Sequence, residues 1–278
     1  MSDNYFIPLK AKLEEIKREL AATPSLAIQL GTGLASLRRA VEIERIIPYS
    51  QLTSLQLPNT QSHEPELIIG KIQEIPILVF AGRRHLYEGF SAFEVCCNVI
   101  CAKLLDCTQM IITNAAGALN SMYAPGDVVC IEDHINLTGA NPLINLADGF
   151  NHAFFKTHSF TDMSQAYDAE LNQRLASAAA SANIKLASGI YAGVLGPSLE
   201  TNAERRMIRQ LGADLVGMST VNEIIMANHL DLKVAALSAV TNEATGELGQ
   251  AKDEIDAIMH HAELAGQKIS RILSQYCS

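Results

Sequence analysis

Short apolar runs alternate with amphipathic segments along the chain, and this alternation is typical of an α/β fold. Leu13, Ile16 and Leu20 fall at helical spacing among charged residues, so an amphipathic helix is predicted over 1–20. Further helices are predicted over 171–182 and 253–274. Apolar and alternating runs predict strands over 25–30, 41–47, 66–72, 75–81, 109–113, 127–131, 184–194 and 232–240, with 66–72 and 75–81 paired as a hairpin.

Ser/Thr-x-x-Glu capping boxes at 91–94, 201–204 and 220–223 mark the starts of other helices. A helix N-terminus carries unpaired N–H donors and a partial positive charge. Ser219 stands directly before the last box and is therefore a candidate to contact an anion. Glu200 is predicted to lie on the loop just before the middle helix.

The loop 82–89 reads Gly-Arg-Arg-His-Leu-Tyr-Glu-Gly and follows the apolar strand 75–81. In open α/β sheets, ligands bind at the carboxyl ends of strands. Arg83, His85 and Tyr87 bring cations and ring donors to such a place. A solvated basic turn is the alternative interpretation of the same residues.

Small residues follow two other predicted strands. The turn at 31–34 reads Gly-Thr-Gly-Leu, and 114–117 reads Asn-Ala-Ala-Gly. Because small side chains let backbone amides approach a ligand, Thr32 and the Ala115 amide are candidate anion donors. The 31–34 turn lacks the third glycine of a dinucleotide fingerprint and the lysine of a P-loop. Close packing is the alternative explanation for 114–117.

Two further segments have open interpretations. The stretch 134–161 is rich in Asn, Asp, Gly and His without periodicity, and long loops of this kind often have a functional use. His63 stands just before the predicted hairpin. It is either a surface histidine or a donor to an anion.

Composition limits the partners of the chain. Its 278 residues are 48% hydrophobic and show no linker, so one domain over 1–278 is predicted. A net charge of −9 without clustered Lys or Arg argues against nucleic acid and anionic membranes. No run reaches the roughly 18 apolar residues of a membrane span, and the amino terminus lacks a signal-peptide core. The six cysteines form no Cys-x-x-Cys motif, which favours buried, reduced thiols in a cytoplasmic protein.

The candidate residues favour a ligand that is part anion and part neutral ring. Thr32, Arg83, His85, Ser219 and the Ala115 amide are donors, which suits phosphate. Glu200 and Asn242 offer an acceptor and an amide, which suit the edge of a nucleobase.

In this order and spacing, the motifs resemble the trimeric purine nucleoside phosphorylases of the inosine-guanosine-xanthosine type. The resemblance covers nearly the whole chain and is carried by the motifs at 31–34, 82–89, 113–117, 133–136, 196–201, 217–220 and 241–242. It implies an α/β fold in a single domain, with a mixed central β-sheet flanked by helices. It also implies a homotrimer that phosphorolyses 6-oxopurine (deoxy)ribonucleosides reversibly in purine salvage. Inorganic phosphate would be the co-substrate, with no metal or organic cofactor.

The resemblance also implies a role for each candidate residue. Phosphate would be held by Thr32, His63, Arg83, His85, Ala115 and Ser219. Purine and ribose would be contacted by Tyr87, Phe160, Glu200, Met218 and Asn242, with Phe160 reaching into the sugar pocket of a neighbouring subunit. Asn242, Glu200 and His85 would be the catalytic residues: Asn242 donates near N7 of the leaving base, and Glu200 accepts from N1–H of a 6-oxopurine.

The chain departs from the family pattern at several positions. These are Thr32 in place of serine, His-Glu-Pro-Glu at 63–66 in place of His-x-Gly, Asn222 in place of proline, and Lys252 at the expected ribose-contacting histidine, with His260 and His261 further along.

Two alternatives remain open at this point. A methylthioadenosine phosphorylase is related in fold, but a 6-aminopurine enzyme needs an acid where Asn242 stands. A non-catalytic nucleoside-binding paralogue is supported only by the altered 63–66 loop and by Lys252.

Overall fold

The computed structural model describes residues 3–32, 35–52, 57–58, 65–144 and 160–278. Its framework is a nine-stranded mixed sheet in the order β2-β3-β4-β1-β5-β8-β7-β6-β9. The strands are β1 Leu26–Gln29, β2 Glu42–Pro48, β3 Glu66–Ile72, β4 Ile75–Ala81, β5 Gln109–Ala118, β6 Val128–Asn136, β7 Leu186–Gly193, β8 Leu215–Gly217 and β9 Lys233–Glu243.

Parallel strands form the middle of the sheet. β1 lies between β4 and β5 and is parallel to both, and β5 is also parallel to β9. The carboxyl ends of these four strands therefore meet at one edge, where an α/β sheet binds its ligands. The antiparallel pairs β2–β3 and β3–β4 extend the sheet on one side.

One half of the sheet closes on itself. β5 pairs with β8, β8 with β7, β7 with β6, β6 with β9, and β9 returns to β5. This closed ring leaves fewer exposed strand edges. It also brings the ends of β5, β8 and β9 close together.

Helices cover the sheet. They are α1 Asp3–Glu19, α2 Tyr49–Leu52, α3 Ala92–Val95, α4 Cys97–Leu104, α5 Ala169–Ser181, α6 Asn202–Gln210, α7 Val221–His229 and α8 Ile255–Tyr276. Their apolar faces are buried in two main clusters. One cluster contains Leu13 and Ile16 of α1 together with α4 and α7, and the other contains residues of α5 and α8. Burial of a leucine or isoleucine side chain stabilises the fold by about 1.5–3 kcal/mol.

The structure confirms most of the predicted elements. The amphipathic helix at the amino terminus, the hairpin β3–β4 and the strands predicted from apolar runs are all present. The capping boxes at 91–94, 201–204 and 220–223 each begin a helix, α3, α6 and α7. These elements were predictable because their signals lie within a few neighbouring residues.

Two predicted strands, 109–113 and 232–240, are longer in the structure because their mutual pairing extends them. Residues 114–117 were predicted to follow a strand but lie within β5, where β9 continues the ladder as far as Ala118. β9 likewise continues through residues 241–243, beyond the predicted end of the strand at 240. The ladder shifts register between Ala116 and Gly117.

Other boundaries also differ from the predictions. β6 runs on to Asn136 and so takes in the start of the predicted loop 134–161. The single helix predicted after Ser91 is divided at Cys96 into α3 and α4. β8 was not predicted, because its three residues are too few to show a pattern.

The six cysteines are free and buried, as the sequence predicted. Among the residues that the structure describes, no helix has both the length and the hydropathy needed to cross a bilayer.

Candidate active site

An open cavity of about 760 Å³, including the space at its mouth, lies at the carboxyl ends of β1, β4, β5 and β9. Most of the candidate residues line it: Thr32, Arg83, His85, Tyr87, Ala115, Glu200, Met218, Ser219 and Asn242. The fold thus brings together residues that are far apart along the chain.

Arg83 is held rigidly at one end of the cavity. It follows β4 and is only 5% exposed. Its Nη1 donates to Glu223 Oε2 at 2.9 Å, and its Nη2 donates to the carbonyl of Thr113. Since a guanidinium has five N–H donors, the remaining ones are available to an anion.

Ser219 is presented to the cavity by a strained turn between β8 and α7. The next residue, Thr220, has φ +72°, a conformation that a β-branched side chain rarely adopts. Hydrogen bonds maintain this turn: Thr220 N–H donates to Glu223 Oε2 at 3.1 Å, and Asn114 Nδ2 donates to Thr220 Oγ1 at 2.9 Å. Strain that is held in this way is typical of a binding site.

His85 is partly buried beside Glu88, with 2.6 Å between Nδ1 and Glu88 Oε1. Burial lowers the pKa of His85, and the nearby Arg83 lowers it further. The neutral imidazole must therefore carry its proton on Nδ1, because a carboxylate can only accept. Nε2 is then left as an acceptor. The Tyr87 ring stacks on His85 at a centroid distance of 4.8 Å.

Thr32 and Ala115 face the cavity where β1 and β5 lie close together. A Cβ on the preceding Gly31 would stand 2.7 Å from the carbonyl oxygen of Thr113, so only glycine fits there. Gly31 N–H donates to Thr113 Oγ1 at 3.0 Å. These contacts fix the start of the turn that carries Thr32.

Asn242 lies near the end of β9, at another part of the cavity. Its Oδ1 accepts from Thr241 Oγ1 at 2.9 Å, and its Nδ2 donates to Asp253 Oδ1 at 2.8 Å. A longer contact of 3.4 Å joins Nδ2 to the carbonyl of Glu243. The amide therefore has a fixed orientation in the structure.

Glu200 is the carboxylate that lines the cavity, and its side chain is only 7% exposed. Burial raises its pKa, and the neighbouring Arg205 opposes this shift. Arg205 Nε lies 3.7 Å from Glu200 Oε2, too far for a good hydrogen bond. Glu200 is thus a buried acceptor with only partial charge compensation.

Two further residues were predicted to contact the ligand. His63 lies outside the described residues. Phe160 is 93% exposed and is absent from the cavity lining. Its role toward a neighbouring subunit stays a prediction.

The positions that depart from the family pattern are also placed by the structure. Lys252 is exposed and does not line the cavity. Ile258 of α8 lines it instead. His261 lies behind the site, where Nδ1 donates to the carbonyl of Thr241 at 3.1 Å. Glu66, the last residue of the altered 63–66 segment, is buried in β3 and paired with Arg38.

Sequence reasoning missed several residues of the site. Apolar residues of the lining, Leu199, Val216 and Ile258, carry no chemical signal. Asp253 and Arg205 were missed although both are charged, because their partners lie 11 and 48 positions away along the chain. A charged residue in the otherwise apolar core positions of an amphipathic helix was the available signal for Arg205.

Comparisons with known proteins agree with this geometry. Residues 26–278 match the phosphorylase superfamily. Purine nucleoside phosphorylase 1 of Bacillus subtilis is 37% identical over 264 residues, which cover 94% of this chain and 96% of that protein. The purine nucleoside phosphorylase of Mus musculus is 34% identical over 261 residues, covering 92% and 87% of the two chains.

Solved structures show the same likeness. The crystal structure of Schistosoma mansoni purine nucleoside phosphorylase in complex with adenosine has a TM-score of 0.88 and 29% identity, over 98% of this chain and 96% of that one. A Schistosoma purine nucleoside phosphorylase in complex with hypoxanthine gives a TM-score of 0.85 at 30% identity.

The chain therefore belongs to the phosphorylase superfamily and, within it, to the purine nucleoside phosphorylases. It is an enzyme with the activity of that family.

Proposed function

We propose that the enzyme phosphorolyses 6-oxopurine (deoxy)ribonucleosides, namely inosine, guanosine and xanthosine, in preference to adenosine. The products are the free base and (deoxy)ribose 1-phosphate, and the reaction is reversible. The observation that carries the proposal is the pairing, on one cavity wall, of a carboxylate, Glu200, with an amide whose NH₂ group is held in place, Asn242.

Phosphate is expected at the Arg83 end of the cavity. The donors there are Arg83, the Ser219 hydroxyl, the Thr32 hydroxyl and the Ala115 amide, and all four residues line the cavity. Charge-assisted hydrogen bonds to an anion contribute about 1.5–3 kcal/mol each. A phosphate held under C1′ is also placed for attack, which converts a bimolecular step into an effectively unimolecular one.

His85 has a particular role in this arrangement. Its neutral Nδ1–H form leaves Nε2 as an acceptor, which suits the P–OH group of hydrogen phosphate rather than a bare phosphate oxygen. Accepting that hydrogen bond turns the unprotonated oxygens of the phosphate toward Arg83 and the sugar. His85 thereby orients the nucleophile.

Bond cleavage builds positive charge on the ribose and negative charge on the base. As phosphate oxygen bonds to C1′, the C1′–N9 bond breaks and its electron pair passes into the purine. A donor at N7 stabilises the negative charge that develops there, and Asn242 Nδ2 is that donor. Glu200 accepts from N1–H of a 6-oxopurine, a proton that adenine lacks. A buried acceptor left unpaired in this way can reject a substrate by about 10⁴-fold or more.

A homotrimer that needs no metal or organic cofactor completes the proposal. Phe160, which is 93% exposed, is the residue that we assign to a neighbouring subunit's pocket in this assembly. Light scattering of wild type and of Phe160→Ala, together with the nucleoside KM of both, tests this part. Activity that survives dialysis against EDTA tests the absence of a metal requirement.

The test of substrate class is a panel of inosine, guanosine, xanthosine, adenosine and methylthioadenosine, each with and without phosphate. Release of base is followed by ultraviolet absorbance. Phosphate-dependent release from the three 6-oxopurine nucleosides is expected. A higher kcat/KM for adenosine or methylthioadenosine would refute the proposed preference.

A further inference from the structure

We propose that Arg205 and Asp253 are positioning residues that lock the Asn242 amide with its NH₂ group toward the base, and thereby set the preference for 6-oxopurines. Neither residue lines the cavity. The inference rests on the proposed function, because it explains how the base is selected.

Arg205 is a buried cation between two carboxylates. It lies on α6, and only 3% of it is exposed. Its Nη2 donates to Asp253 Oδ2 at 2.5 Å, while its Nε is 3.7 Å from Glu200 Oε2. Nε has no hydrogen-bond partner among the described residues. One guanidinium thus connects the carboxylate that faces the base with the carboxylate that lies behind Asn242.

Asp253 determines which end of the Asn242 amide points where. Its Oδ2 is taken by Arg205, and its Oδ1 accepts from Asn242 Nδ2 at 2.8 Å. A carboxylate only accepts, so the oxygen of the amide cannot occupy the same place without repulsion. Thr241 Oγ1 lies 2.9 Å from Asn242 Oδ1 and 3.2 Å from the Ala116 carbonyl oxygen, and since a hydroxyl can donate or accept, the orientation of the amide is set by Asp253.

The locked amide distinguishes the two classes of purine. One Nδ2 hydrogen is used by Asp253, and the other has only the 3.4 Å contact with the Glu243 carbonyl, which an acceptor on the base can replace. N7 is such an acceptor in both classes, whereas O6 is present only in a 6-oxopurine. A 6-amino group is a donor, and the amide could accept from it only by turning its oxygen against Asp253.

The rest of α6 provides a matched comparison. Arg206 donates to the carbonyl of Gly246 at 2.5 Å, and Arg209 pairs with Glu247 at 2.7 Å. These contacts attach the loop that leads to Asp253 to helix α6. Gly246 packs so closely that a Cβ would lie 2.5 Å from the Asn202 carbonyl oxygen. Arg209 is partly exposed and touches neither Asn242 nor Asp253 in the described contacts, so it tests loop attachment alone.

The experiment compares Asp253→Asn, Arg205→Met and Arg205→Lys with the control Arg209→Met. An asparagine at 253 has one acceptor oxygen for two donors. If the side-chain oxygen at position 253 keeps its contact with Arg205, the NH₂ group of the same side chain faces Asn242. The Asn242 amide is then expected to rotate so that its oxygen accepts from that NH₂ group. The readouts are kcat/KM for inosine and for adenosine, the KM for phosphate, and calorimetric affinities for hypoxanthine and adenine.

We expect the inosine-to-adenosine ratio of kcat/KM to fall by about tenfold or more in Asp253→Asn and Arg205→Met, with the phosphate KM unchanged. Arg205→Lys retains the cation and is expected to retain more of the ratio than Arg205→Met. Arg209→Met should keep the ratio within about twofold, since exposed ion pairs contribute little.

The inference would be overturned if kcat/KM for inosine and for adenosine fell by the same factor in folded Asp253→Asn, because that result would show a merely structural role. The calorimetric affinities for hypoxanthine and adenine can be measured without phosphorolysis. They therefore distinguish a failure of this inference from a failure of the proposed function. Wild type that releases no base from inosine would refute the proposed function. If its hypoxanthine-to-adenine affinity ratio then equals that of Asp253→Asn, the inference fails as well.

Discussion

Nη1 of Arg83 lies 2.9 Å from Oε2 of Glu223, and both side chains are almost fully buried. Arg83, the main cation of the cavity, is therefore paired with a carboxylate before any anion binds. Glu223 also caps α7 by accepting from the Thr220 N–H. One carboxylate thus fixes both the arginine and the turn that presents Ser219.

We expect Glu223→Ala to lower the free energy of unfolding by about 3–5 kcal/mol, because it leaves a buried arginine without its counter-charge. Urea denaturation measures the change. Glu170→Ala is the control, since it removes an exposed partner of Lys233 and should cost at most about 1 kcal/mol. Equal effects of the two substitutions would contradict a structural role of the buried pair.

Arg83→Lys should raise the KM for phosphate by about tenfold or more and change the KM for inosine much less. Lysine keeps the charge and can satisfy Glu223, but it loses the fixed, planar donors of the guanidinium. Steady-state kinetics with each substrate varied in turn provide the test. A normal phosphate KM in this variant would place the anion elsewhere.

The binding of 6-oxopurine nucleosides should weaken at acidic pH because of Glu200. Burial raises its pKa, so it is protonated at a higher pH than an ordinary glutamate and then cannot accept from N1–H. The same raised pKa means that its contribution to stability is present at low pH and is lost as the pH rises through the folded-state value. Glu200→Gln should therefore remove this pH dependence of the inosine KM. If the inosine KM of Glu200→Gln still rose at acidic pH, another group would be responsible for the pH dependence.

His85 should titrate below its ordinary value of 6.5, since burial and Arg83 both disfavour the cation. The fold is then favoured above that ordinary value and loses this contribution as the pH falls through the lowered pKa. Nitrogen-15 NMR of the free enzyme should show the Nδ1–H tautomer, because Nδ1 faces the Glu88 carboxylate at 2.6 Å. An Nε2–H tautomer would argue against His85 as an acceptor from phosphate.

Local signals predicted the elements and the loops of the site. The loop 82–89 was recognisable because an apolar strand precedes it and a capping box follows it, and β4 and α3 lie where these signals put them. Ser219 and Glu200 were recognisable in the same way, as residues just before capped helices.

What sequence patterns did not predict depends on pairing between distant segments. The predicted strands stopped at 113 and 240 because the residues that follow are small or polar, yet 114–117 and 241–243 continue the ladder between β5 and β9. Arg205 and Asp253 are 48 positions apart, and no periodicity links them. Arg205 and Asp253 reach Asn242 through the closed sheet and through the packing of α6 on the loop that follows β9.

The measurement that tests the central claim most directly is the inosine-to-adenosine ratio of kcat/KM in Asn242→Asp. In the wild type, the Asn242 amide is held as a donor to the base. In Asn242→Asp, the new carboxyl group would lie next to that of Asp253, and the pair would share a proton because two adjacent carboxylates repel each other. The site thereby gains an acceptor for a 6-amino group. The account predicts a shift of about tenfold or more toward adenosine. An unchanged ratio in a folded variant would contradict the assignment of Asn242 as the residue that reads the base.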